Sequence, residues 1–288
     1  MTSATASASA KPMTAVDVAA AAQLACLLEV SAPKPGNVSP GRHFGDMRYE
    51  DFLASAAAIG GPIGGAGTRP LGETVRLAIE ATARWTSANT NLGIVLLFAP
   101  LARAMGMRDA VRSILDATTV DDAREVYAAI RLASPGGLGR AEAQDVADEP
   151  TLPLLDVMKL AADRDGIARE YATGFEVTFE AGAPALLAAR RDGLCWDDAV
   201  VETFLTILAA RPDTHIARRG GNGMAEDVSR RAKAALAAGG VRSASGRVAV
   251  DEMDRALRDA DNTANPGTTA DLTAAAIFVV LLGGGWTA

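Results

Sequence analysis

The segment Asn265-Pro266-Gly267-Thr268-Thr269-Ala270-Asp271 combines residue types suited to holding an anion beside a carboxylate. Pro266 lacks a backbone donor and Gly267 lets the chain approach a ligand closely. The threonines and Asp271 fall where a helix starts and its N–H groups are unpaired. A carboxylate beside bound phosphate can share a magnesium ion with it or take a proton from an attacking hydroxyl. The alternative is a well-capped helix in which Asp271 only complements the macrodipole.

Three other clusters offer related chemistry. In Pro33-Lys34-Pro35-Gly36-Asn37 a lysine sits on a stiff backbone, which lowers the entropy lost on gripping a phosphate; the alternative is a surface turn. His43 and Asp46, three apart at a helix entry, suit an acid and base, a histidine with its orienting carboxylate, or a cap with a polar neighbour. Asp213, His215, Arg218 and Arg219 bring a carboxylate, an imidazole and two guanidinium groups into one Gly-terminated loop, fitting a diphosphate or triphosphate grip or a solvated charge cluster. Asp46, Asp213 and Asp271 are alternative magnesium ligands, and magnesium is the inferred cofactor. Asp271, Asp46 and His43 are the candidate catalytic groups.

The elements that must position these residues read as helices. A broad apolar helix runs from Thr14, with Thr14 and Asp17 in a capping-box relation, and ends before Ser31-Ala32-Pro33. Asp46 is expected to cap a helix through about Ile59, Gly60 to Gly67 to turn the chain, and Pro70 to start a helix to about Ala88. Asn89-Thr90-Asn91-Leu92-Gly93 opens an apolar helix to Met105, and periodicity resumes from Asp121 to Ala133. Ser134-Pro135-Gly136-Gly137-Leu138-Gly139-Arg140 stops it. Helices follow over Leu154 to Asp163, Ile167 to Arg190 with a break expected at Gly182 or Pro184, Trp196 to Ala210, Met224 to Ala238 and Val250 to Ala260. The best strand signal is Arg247-Val248-Ala249-Val250. Asp145 to Pro153 is a candidate boundary that does not justify a split, so the expectation is one helical catalytic domain over 14–288 after a disordered arm, 1–13.

Composition agrees with an all-α, single compact multi-helix domain. Of 288 residues 49% are apolar but only 5% aromatic, and alanine dominates, so small-residue helix contacts are expected. A net charge of −7, from 28 basic and 35 acidic side chains, is the wrong sign for neutralising a nucleic-acid backbone. Cys26 and Cys195 cannot build a disulfide framework; both read as core residues in a reducing, cytoplasmic setting. With only His43 and His215 besides, a zinc site is excluded and any metal should be oxygen-bound. The runs Gly93 to Ala102 and Leu272 to Leu282 are too short for a bilayer, so no membrane partner is expected and both read as buried helices.

Taken in order, Glu29, Pro33-Lys34-Pro35-Gly36, His43, Asp46, Asp213 and Asn265-Pro266-Gly267-Thr268-Thr269-Ala270-Asp271 resemble the triphosphoribosyl-dephospho-CoA synthase family. The resemblance implies an all-α enzyme that joins the ribose of ATP to a hydroxyl of 3′-dephospho-CoA, keeps the triphosphate and releases adenine. Its partners would be a nucleotide or ribosyl phosphate donor and a hydroxyl acceptor, with a homodimer in view. It implies Asp271 or Asp46 as base or metal ligand and Lys34, Arg218 and Arg219 on phosphates. Gly36, Asn37, Asn91, Asp213, His215, Asn265, Gly267, Thr268 and Thr269 would complete the binding surface.

One departure stands out. Where the family is expected to carry His-Lys-Gly after an Asn-Thr pair, this chain has Asn91-Leu92-Gly93, which removes a charge from the phosphates. Arg69 or Arg140 could replace it. The departure, with the Ser134 to Arg140 loop, also admits a phosphoribosyl transferase acting on a pterin- or furan-type acceptor in one-carbon cofactor biosynthesis, or a nucleotide-binding protein without turnover.

Overall fold

The computed structural model describes residues 13–136, 139–259 and 261–287. The expected arm therefore lies outside the described residues except for Met13, as do Gly137 and Leu138. In chain order the helices are α1 (Ala15–Ser31), α2 (Tyr49–Ala58), α3 (Gly60–Gly64), α4 (Leu71–Ala83), α5 (Leu92–Arg103), α6 (Arg108–Asp116), α7 (Val120–Ala133) and α8 (Leu154–Ala161). They continue as α9 (Gly166–Thr173), α10 (Ala183–Arg191), α11 (Trp196–Ala210), α12 (Thr214–Gly220), α13 (Asn222–Ala237), α14 (Ala244–Leu257) and α15 (Gly267–Leu282). Among the described residues no strand forms; only an isolated bridge pairs Ser39 with Arg42. The all-α expectation holds.

The two apolar runs become the central helices. A helix that is apolar on every side must be covered on every side, and α15 is, by α1, α5, α10 and α11. Phe98 of α5 stacks on Phe278 of α15 with ring centroids 4.3 Å apart, and both are fully buried. Such a pair contributes about 0.5–1.5 kcal/mol beyond its area. Small residues allow the close approaches: a β-carbon on Gly182 would lie 2.8 Å from that of Ala276. No helix of the described residues is long and apolar enough to cross a membrane.

Several local expectations are corrected. The Thr14–Asp17 capping box forms, but Asp46 caps nothing; α2 begins at Tyr49, and the Asp51 carboxylate accepts from the Arg48 N–H at 2.8 Å. The glycine stretch after Ile59 is itself the short α3. The sequence reading missed α6, a short polar helix anchored by Val111 and Leu115 one turn apart. Arg247 to Val250, the strongest strand signal in a chain expected to be all helical, is part of α14, because its neighbours supply the helical stripe Val250, Met253 and Leu257. Cys26 is buried as expected, whereas Cys195 is exposed at the start of α11.

The expected long helix from Ile167 breaks at Gly174 rather than at Gly182 or Pro184. Gly174 and Phe175 have φ of 68° and 63°, left-handed conformations that end α9. A π-helical turn over Val177–Gly182 then leads into α10. Buried Glu170 satisfies its start, accepting from the N–H groups of Val177 and Thr178 at 2.9 Å each and from the Thr178 hydroxyl at 2.6 Å.

Candidate active site

Four helix beginnings meet at one end of the central pair. The Asp213 carboxylate caps α12 through Oδ1, which accepts from His215 and Ile216 N–H at 2.8 and 3.1 Å. Its Oδ2 accepts from the N–H and the hydroxyl of Thr269, both at 2.7 Å, tying α12 to the first turn of α15. Thr214 Oγ1 accepts from Gly166 N–H at 3.0 Å and lies 3.1 Å from Thr268 Oγ1, bringing in α9. Asp165 caps α9 through Oδ1, and its Oδ2 meets Arg218 at 2.5 Å. The fourth beginning is that of α5: Gly93 packs so closely on Asp271 that a β-carbon there would overlap the carboxylate.

These ends wall a cavity of about 1230 Å³, larger than the roughly 300–1,000 Å³ that single small ligands use. One side is polar, with Glu29, Asp165, Arg218 and Asp271; the other, from α7 and α8, is apolar, with Val126, Ile130, Val157 and Met158. The Asp271 carboxylate stands at the cavity wall and makes no hydrogen bond or ion pair with another described residue. Burial, then the negative charges of Glu29, Asp213 and Asp165, hold its carboxyl well above the ordinary range against the opposing pull of Arg218. His215 is shifted the other way: burial and the cations Arg218 and Arg219 depress its imidazole to about 4, so it is neutral at pH 7.

The structure sorts the expected residues. Asn37, Asp46, His215, Arg218, Arg219, Asn265, Gly267, Thr268 and Asp271 all line the cavity. Asn91 also lines it, but its amide is spent on Thr82 Oγ1 at 2.9 Å. Lys34 does not: it is 1% exposed, pairs with Glu29 Oε1 at 2.9 Å and donates to the carbonyls of Glu29 and Ala32. A lysine so enclosed has no reach to a phosphate. Asp213 and Thr269 lie behind the wall with the carboxylate's acceptor positions filled, so Asp213 is not an open metal ligand. Burial raises its carboxyl, opposed by these hydrogen bonds.

His43 is exposed, accepts from Tyr49 N–H at 3.2 Å and stands outside the lining. Gly36, with φ of 73°, donates its N–H to Asp254 at 2.8 Å. A β-carbon on Gly36 would be 3.1 Å from the Pro266 ring, so the two end motifs lie close together. Neither proposed replacement for the missing lysine reaches the cavity: Arg69 lines a separate cleft and Arg140 is exposed outside the lining. Leu92 itself is buried in the cavity wall. Among the described residues no group of three His, Cys, Asp or Glu is arranged to hold a metal by itself.

Sequence reasoning gave no role to Asp165, Gly93 or Arg164, all of which line the cavity. Asp165-Gly166 before an apolar stretch is a readable cap signal. Gly93 at the second position of an apolar helix was a weaker one, since nothing local explains a glycine there.

Comparison with known proteins places the chain in a family. The sequence model of the CitG family, described as ATP:dephospho-CoA triphosphoribosyl transferase, matches residues 15–288. A Pseudomonas paraeruginosa protein named probable 2-(5''-triphosphoribosyl)-3'-dephosphocoenzyme-A synthase is 37% identical over 125 residues, 42% of each chain. One of the same name from Stutzerimonas stutzeri is 35% identical over 113 residues, 39% of this chain and 38% of its own. These alignments span less than half the length of those relatives. A crystal structure from Archaeoglobus fulgidus, assigned to triphosphoribosyl-dephospho-coA synthase, is similar with a TM-score of 0.64 and 31% identity, covering 81% of this chain and 99% of that one.

Proposed function

The chain belongs to the CitG family, ATP:dephospho-CoA triphosphoribosyl transferase, and from that membership we propose that it transfers the triphosphoribosyl group of ATP to a hydroxyl of dephospho-CoA with release of adenine. The observation that carries this reading is Asp271: an unpartnered carboxylate on the wall of a cavity wide enough for two substrates, with its proton affinity raised.

The acceptor oxygen forms a bond to the anomeric carbon as the bond from that carbon to the purine nitrogen breaks, and the electron pair leaves with adenine. Asp271 takes the proton of the attacking hydroxyl; the departing base takes one from water, and Asp271 gives its proton to the hydroxide so formed. A carboxyl held above the ordinary range is a stronger base than a solvated one, and a positioned base is worth roughly 10²–10⁴ in rate. Positive charge developing on the ribose is stabilised by the Asp271 carboxylate in a site partly screened from water. Arg218 and Arg219, with Arg164 at the rim, supply the positive side of the lining for the phosphates.

Magnesium fits as an ion brought by the phosphates, a mode that needs one or two protein carboxylates rather than a cage. Asp46 is exposed, lines the cavity and is the candidate ligand; the ion would neutralise phosphate charge. ATP as the donor favours a cytoplasmic reaction.

The test is incubation with ATP, magnesium and dephospho-CoA, followed by quantification of free adenine. One adenine per product is expected; no adenine from folded protein removes ATP from the scheme. A second reading rests on Leu92, which places an apolar side chain in the wall where the resemblance calls for lysine. It keeps the transfer but changes the substrates, with phosphoribosyl diphosphate as donor to a pterin- or furan-type acceptor, and pyrophosphate release would support it.

A further inference from the structure

His215 Nε2, Arg218 Nε and Asn265 Oδ1 are buried and have no hydrogen-bond partner, and all three residues line the cavity. Leaving a buried polar atom unpaired is costly, so native structures rarely keep several together without a ligand or ordered molecule to satisfy them. Arg218 is otherwise engaged with Asp165. The remaining two belong to segments that meet at the start of α15, the helix that carries Asp271.

Their placement is fixed by the backbone. The His215 ring lies against Gly267, where a β-carbon would come within 3.1 Å of Nδ1. Gly267 and Asp271 are four residues apart on α15, so they share a face and are separated by about 6 Å along the axis. Asn265 is two residues before Gly267. A neutral imidazole therefore stands beside α15 about one helical turn from the proposed base, and the Asn265 amide belongs to the segment just before that helix. Both are uncharged groups that donate and accept, the chemistry that matches the edge of a neutral heteroaromatic ring rather than a phosphate.

We infer that His215 and Asn265 form the recognition edge for the adenine ring of the donor, with the Asn265 carbonyl oxygen accepting from the exocyclic amine. This rests on the reading that an adenine nucleotide is the donor. It assigns base specificity to residues that the sequence suggested for phosphate. An asparagine amide is a standard partner for the adenine edge. A 6-oxo purine would face the same oxygen with an acceptor, leaving both unpaired.

Calorimetric binding of ATP and of inosine triphosphate to the full chain tests this without requiring turnover. The wild-type protein should prefer ATP by about tenfold or more, the scale of one well-formed base contact. Asn265→Ala should bring the ratio close to one mainly by weakening ATP. Should that variant not fold, His215→Gln makes the same comparison. Equal binding of the two nucleotides by the wild type, absence of binding to either, or a variant that weakens both equally overturns the inference. A protein that prefers ATP in binding but releases no adenine keeps the recognition edge and loses the transfer reaction. One that releases free base equally well from both nucleotides loses the edge and keeps the transfer.

Discussion

The carboxylate of Asp271 on α15 rests against the α-carbon of Gly93 on α5, at a separation that excludes a β-carbon. The contact joins the starts of the two central helices at the cavity wall. It also makes a glycine near the start of α5 a condition for where the carboxylate points.

Gly93→Ala should therefore uncouple fold from activity. Alanine is the better helix former by about 0.8–1.0 kcal/mol, and the atoms it displaces are the end of a side chain that can turn aside. Thermal stability should change little, while kcat drops at least tenfold. A fully active Gly93→Ala would show that the position of Asp271 does not matter.

Asp271 has a signature in pH. Its folded carboxyl titrates above its unfolded value, so the folded state holds the extra proton. The associated stability is present below the ordinary carboxylate range, near pH ~3.9, and is lost as pH rises through the raised value. Asp271→Asn should gain thermal stability relative to wild type across that window. It should also lose about 10²–10⁴ of the rate, together with the rising acid limb of the kcat/KM profile. Melting and rate profiles of both proteins between pH 4 and pH 8 check both signs.

Lys34 should matter for folding rather than for substrate affinity. Removing one partner of a buried ion pair leaves an uncompensated charge, at a cost of about 3–5 kcal/mol. Lys34→Met should show that loss in denaturant unfolding, and Lys34→Met with Glu29→Gln should recover much of it. KM for the nucleotide, measured where the single variant is folded, should stay within a few-fold. A large rise in KM without destabilisation would return Lys34 to the phosphates.

Asp213→Asn keeps one set of accepted hydrogen bonds but turns an amide donor toward the Thr269 N–H and hydroxyl, or does the same toward α12 if flipped. The expected cost is about 1–3 kcal/mol, read as a lower melting temperature, with the magnesium concentration for half-maximal activity unchanged. A shift in magnesium dependence at unchanged stability would make Asp213 a metal ligand after all.

Much of this protein is written in local patterns. The Thr14–Asp17 box, the apolar runs of α5 and α15 and the Asn-Pro-Gly start of α15 need only neighbouring residues for their meaning, and all appear as read. Elements whose fate depends on contacts elsewhere were less legible. Residues 247–250 look like a strand until the stripe continuing through Met253 and Leu257 is counted, and the break at Gly174 depends on Glu170 reaching forward to the next turn.

The sequence by itself determined the class of fold and that the last motif opens a helix with a carboxylate in its second turn. Only the tertiary structure decided which polar groups are open to a substrate. Whether a charge is available depends on its burial and its partners, and those come from distant positions: Thr269 fills Asp213, while Gly93 makes room for Asp271. Even Lys34 and Glu29, five residues apart, become a closed pair because the surrounding helices exclude water from both.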